Sequence, residues 1–73
     1  MADATPSYGT ADQVLEIALR NEEEAYQFYG NLLARSHFES VRNLLEKLRD
    51  EERRHILMIE KMIRDLSLGR DPS

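Results

Sequence analysis

Two long apolar stripes run through this chain, and polar side chains interrupt them at only three places. In the first half, Leu15, Ala18, Glu22, Ala25, Tyr29 and Leu32 recur at alternating steps of three and four residues. In the second half, Val41, Leu45, Leu48, Glu52, His55, Ile59, Met62 and Leu66 repeat the same steps. A spacing of about 3.5 residues keeps one stripe of each helix turned toward a partner. The pattern therefore predicts two amphipathic helices with apolar seams, broken only at Glu22 and at Glu52/His55. Carboxylates enclosed without partners are costly, so something positive is expected between them, and a metal cation is the leading candidate.

Local signals set the ends of each element. Residues 1–9 have no periodicity and read as a disordered lead-in. Thr10-Ala-Asp-Gln13 has the form of a capping box, with Thr10 accepting from the first turn and Gln13 reaching back. The first helix then runs to about Arg35, with Gly30 as its weak point at a cost of roughly 1 kcal/mol relative to alanine. Ser36-His-Phe-Glu39 offers a second capping box, which places the turn near residues 35–37. The second helix runs to about Ser67; Gly69 suits the left-handed position that closes it, and Pro72 blocks continuation. This gives a hairpin over residues 10–67 and a tail over 68–73. A connection of two or three residues forces the helices to be antiparallel neighbours.

Apolar positions beside the seams widen the picture. Val14, Ile17, Phe28 and Leu33 flank the first seam, and Leu44, Ile56, Met58 and Ile63 flank the second. One hairpin cannot cover stripes of that width, so the expected architecture is all-α: a hairpin that dimerises into a four-helix bundle, with larger rings of dimers open to it. Size points the same way. A chain of 73 residues has little core of its own and commonly adds a metal, a disulfide or a partner. With no cysteine, disulfides and thiolate metal sites are excluded. A net charge of −4, with acids interleaved among the bases, argues against nucleic acid. The longest apolar run is Ile56-Leu57-Met58-Ile59, far short of the roughly 18 residues of a spanning helix, so no membrane role and a cytosolic location are expected.

Register brings the polar residues together. Glu22 lies 14 residues before Ser36 and Glu52 lies 15 after His37, so an antiparallel hairpin sets them at nearly one height. His55 follows Glu52 by just under a turn on the same face. Two carboxylates and one imidazole are thin for an oxygen-preferring ion. A two-fold dimer doubles the set to four carboxylates and two histidines, enough to balance two divalent cations. That inventory is the di-iron carboxylate pattern of four-helix bundles. Carboxylate with imidazole suits iron or manganese, and zinc can enter the same ligands.

The stretches Glu22-Glu-Glu-Ala-Tyr-Gln-Phe-Tyr29 and Asp50-Glu-Glu-Arg-Arg-His55 resemble the ferritin-like superfamily, particularly its rubrerythrin-like branch. The resemblance covers about residues 11–66. Most relatives hold two such half-sites in four helices, whereas this chain has one half, as do the short two-helix encapsulated ferritins. The resemblance implies a di-iron centre between two subunits and a ferroxidase serving iron storage or detoxification, with an encapsulin shell as a further partner. It makes Glu22, Glu52 and His55 iron ligands: Glu52 bridging, Glu22 terminal, His55 through one ring nitrogen. It makes Tyr29 a neighbour that hydrogen-bonds or donates an electron. Two features depart from it. Leu68-Gly-Arg-Asp-Pro-Ser73 does not match the cargo peptide usual in encapsulated ferritins, and the cysteine-ligated domain of rubrerythrin proper has no counterpart here.

Plainer readings stand beside these. Glu22 can pair with Arg53 or Arg54 at a solvated edge, and Glu51 is expected in a surface ion pair. Tyr26, Met58 and Met62 are expected as packing residues, and His37 at the exposed turn. For the chain as a whole, rubrerythrin-like peroxide reduction and a non-enzymatic helical interaction module are the alternatives to ferroxidase chemistry.

Overall fold

The computed structural model describes residues 10–69, and two helices account for nearly all of them: α1 (Ala11–Arg35) and α2 (Glu39–Ser67). Helix α1 starts where the sequence signals it. Thr10 is extended, and its hydroxyl oxygen accepts from the Gln13 N–H at 3.3 Å. Asp12 in the first turn and Arg35 in the last complement the helix dipole.

The turn differs from the expected second capping box. Ser36 closes α1 instead of opening α2: its N–H donates to the Leu33 carbonyl at 3.2 Å, and its hydroxyl donates to the Leu32 carbonyl at 2.8 Å. Arg42 of α2 reaches back and donates to the Leu33 and Ser36 carbonyls. The Leu32 and Leu33 carbonyls, two of those a helix leaves unpaired at its end, are thereby satisfied. Phe38 occupies the N-cap of α2 and makes no side-chain capping bond. At the far end, Gly69 has φ of +75° and its N–H donates to Leu66 at 3.0 Å, the left-handed closure expected of that glycine.

The two helices pack along their length as an antiparallel hairpin. Among the described residues, only Leu33 (5 % exposed) and Leu45 (9 %) are fully buried, both close to the turn. Most of both seams is half-buried, including Leu15, Ala25, Leu48, Ile59 and Leu66. Two seam positions of α2 are corrected: Val41 and Met62 are exposed. Met58, expected as packing, is exposed as well. An α-helix drifts by about 20° per heptad from a strict 3.5-residue repeat. Ten residues beyond Glu52, Met62 has therefore rotated off the seam, and half-buried Ile63 takes its place. Eleven residues beyond Glu22, Leu33 rotates inward by the same effect.

Among the described residues, five of the nine large exposed apolar ones gather on one flank. Leu44, Met58 and Met62 lie on the edge of α2 that carries His55, and Val14 and Phe28 lie on the adjoining edge of α1. One flank of the hairpin is thus an apolar surface. No helix among the described residues is long and apolar enough to cross a membrane.

Candidate metal centre

At mid-height of the hairpin, α1 presents Glu22 and α2 presents Glu52 and His55. The Nδ1 of His55 lies 3.0 Å from a Glu22 carboxylate oxygen and 3.5 Å from one of Glu52. Each of the three residues offers one ligand atom, and those atoms all lie within 4.8 Å of one another. Register explains the meeting: a tight turn fixes the height of Glu22 against Glu52, and the i,i+3 step adds His55 one turn along. The trio borders the apolar flank, with side chains 29 %, 19 % and 43 % exposed for Glu22, Glu52 and His55.

The plainer pairing of Glu22 with an arginine is not formed. Arg54 is held by Glu51 one turn earlier on its own helix, and Glu22 is bonded to His55. Glu51 therefore makes the surface ion pair expected of it. Its other oxygen also stands 3.9 Å from His55 Nε2, a proximity the i,i+4 spacing could have revealed. His55 thus turns Nδ1 toward the two carboxylates and Nε2 toward Glu51. Tyr29 is half-buried with its ring edge-on to Phe28 at 5.5 Å, and no hydrogen bond joins it to the trio. Tyr26 packs beneath the Arg49 guanidinium, 6.0 Å from its ring centre. His37 is exposed at the turn.

The electrostatics of the trio are those of like charges crowded together. Glu22 is held below its ordinary carboxylate value, first by a hydrogen bond from the Glu52 carboxyl and then by one from His55. Glu52 is raised, chiefly by its hydrogen bond with Glu22 and then because desolvation disfavours its charge. His55 is raised because Glu22 accepts a hydrogen bond from it. The raised Glu52 and His55 thus favour their protonated forms, which offsets the mutual repulsion of the carboxylates.

A cation would do the same with larger charge. The donor set fits one: two carboxylates and the Nδ1 of an imidazole, close enough to share an ion, partly open to solvent, and with no competing arginine paired to them among the described residues. Oxygen with imidazole nitrogen favours iron or manganese over thiolate-loving ions. The Nε2 nitrogen would carry the ring proton, with Glu51 the carboxylate nearest to it.

A family model described as Rubrerythrin matches residues 13–73. The match takes in nearly all of α1, the whole of α2 and all three residues of the trio. No curated protein and no solved structure matches the chain. Rubrerythrins typically bind iron, and the two carboxylates with one histidine form a possible metal site here. Covered over most of its length by that match, the chain belongs to the rubrerythrin family of the ferritin-like superfamily.

Proposed function

We propose that the protein is a ferroxidase whose site is completed by a second copy of the chain. One observation carries the reading: the trio sits beside the flank that holds the exposed Val14, Phe28, Leu44, Met58 and Met62. Covering that flank with its own two-fold mate would bury the apolar surface and bring two trios together. Four carboxylates and two imidazoles would then hold two Fe(II) ions, four negative charges against four positive ones.

In this reading iron is the substrate. Two Fe(II) each lose one electron, and dioxygen takes up two electrons and two protons to leave as hydrogen peroxide. With peroxide as oxidant, the same two electrons and two protons give two waters. The chain's own groups set the stage. Glu52, the least exposed of the three, lies deepest between the helices and suits the bridging place, while Glu22 suits a terminal one. His55 offers Nδ1. Iron needs Glu52 and His55 deprotonated while both are raised, so loading is favoured by higher pH and releases whatever protons they hold to solvent. Tyr29, two turns toward the hairpin's closed end, is the nearest phenol on α1's seam and is assigned the role of a hydrogen-bonding neighbour of the site. Manganese and zinc would enter the same ligands.

Aerobic Fe(II) should be oxidised faster in the presence of the protein than in buffer, and Glu52→Ala should remove the gain. Equal rates for buffer, protein and variant would end the proposal. The family match favours a second reading, in which iron stays resident and peroxide is reduced with electrons from a partner reductase. Reduced, iron-loaded protein that peroxide reoxidises rapidly while dioxygen does not would select that reading.

A further inference from the structure

Two methionines stand beside the trio. On α2, Met58 follows His55 by three residues and Met62 follows it by seven, so both lie on the His55 edge of the helix. Along the axis they are about 4.5 and 10.5 Å beyond His55. Met58 is 61 % exposed, more than any other large apolar residue within either helix, and Met62 is 39 % exposed. With Lys61 and Asp65 they line one shallow cavity of about 240 Å³. Lys61 and Asp65 are bonded to each other at 2.9 Å. An ammonium and a carboxylate are inert toward peroxide, whereas a thioether sulfur is not, so the two sulfurs are the oxidisable groups of that cavity.

We infer that Met58 and Met62 form a peroxide-modification site that controls whether the hairpin can pair. A lone pair of the thioether sulfur attacks one oxygen of hydrogen peroxide, and the O–O bond breaks. The proton of the transferred oxygen passes to the departing hydroxide, which leaves as water. Sulfur is oxidised by two electrons to the sulfoxide, and peroxide is reduced by two. Both methionines share their flank with Val14, Phe28 and Leu44. Leucine fills such a position at Leu44, but only methionine can change there from apolar to polar and back. A sulfoxide is a strong acceptor set among side chains that donate no hydrogen bond. Covering that flank then strips the acceptor of water without replacing it.

This inference rests on the reading of the flank as the surface that meets a second copy, and it adds a condition under which that surface works. A paired hairpin covers both sulfurs, so peroxide acts on hairpins that have not yet paired. Oxidised hairpins stay single and hold half a site each. Where dioxygen is the oxidant, the peroxide left by iron oxidation limits the assembly that produces it, until the sulfoxides are reduced again.

Native mass spectrometry and sedimentation velocity of the full chain in chelator, before and after hydrogen peroxide, test it. Peptide mapping should find one added oxygen at Met58 and one at Met62. The dissociation constant for pairing should rise at least about tenfold, the effect of one stranded acceptor per pair. Methionine sulfoxide reductases acting on both epimers should restore pairing. Dilution below the dissociation constant should speed oxidation at both positions, because unpaired hairpins expose them. The double variant Met58→Leu, Met62→Leu keeps volume and polarity and should pair through the same treatment. Circular dichroism should show unchanged helix, and a loss of helix on treatment would overturn the inference by assigning the effect to unfolding. A chain that carries both sulfoxides and pairs as before overturns it while leaving the pairing flank intact. So does a double-leucine chain that peroxide dissociates, or a diluted wild type whose two sulfurs stay unoxidised. An untreated chain that is monomeric at every concentration overturns the pairing itself, and this inference with it.

Discussion

Glu52→Gln separates a metal ligand from a structural carboxyl, because the structure predicts opposite outcomes with and without metal. Glu52 is raised by the hydrogen bond it shares with Glu22, which favours its protonated, donating form in the metal-free trio. A glutamine amide has the same shape and also donates, so the metal-free variant should lie within about 1 kcal/mol of the wild type. Metal reverses the comparison. A ligand that binds only the folded state at a hundred times its dissociation constant adds about 2.7 kcal/mol. For a domain of this size, each kcal/mol moves the melting temperature by about 4–8 °C, so anaerobic Fe(II) should raise the wild-type midpoint by about 11–22 °C. The variant, left with one carboxylate and one imidazole, should lose nearly all of that rise. Thermal melts followed by circular dichroism, with chelator or with anaerobic Fe(II), give all four numbers. A wild type that iron does not stabilise, or a Glu52→Gln chain stabilised to the same extent, would refute the metal-site reasoning. A metal-free variant that melts far below the wild type would show that the carboxyl serves packing.

Three other outcomes follow from the geometry. Met58→Lys should halve the mass of the assembly joined through the apolar flank and slow iron oxidation with it; a variant of unchanged mass and rate would separate that flank from the site. Arg42→Ala removes the side chain that bonds the Leu33 and Ser36 carbonyls, and should cost about 1–3 kcal/mol in urea denaturation while leaving metal affinity in the folded protein intact. For metal-free protein, stability should fall as pH rises from about 4.5 to above 6.5. Glu52 and His55 are raised from their ordinary 4.5 and 6.5, so the folded state keeps protons the unfolded chain has released, and that contribution is lost as pH passes the folded values. Glu22, lowered from 4.5, acts in the opposite sense and only on the acid side. Saturating zinc should reverse the slope, since metal must displace those protons; equal slopes with zinc and with chelator would contradict this.

Much of the hairpin was legible because its signals are local. Thr10 and Gly69 act through bonds to residues three positions away, and the sequence places both. The meeting of Glu22, Glu52 and His55 was legible for a related reason: a short turn converts sequence distance into height. What escaped was what depends on the neighbourhood. Ser36-x-x-Glu39 has the letters of a capping box, but the serine is bound to the end of the preceding helix and cannot open the next. Leu33 and Met62 exchanged their expected places because small angular errors accumulate over ten residues. The second face of the His55 ring, toward Glu51, was missed because seam counting ignores residues just off the seam.

Burial in the hairpin is graded. Leu33 and Leu45 are enclosed beside the turn, where contacts between the helices close short loops and so lose little entropy. Helix pairing that begins there travels outward, and Glu22 reaches His55 only once about half the hairpin has zipped. Capture of an ion is then among the last steps of folding, and the open half is the part most readily lost again to fraying. Scarce iron would leave chains with loose ends for proteases to find, so the lifetime of the protein would itself track the metal supply.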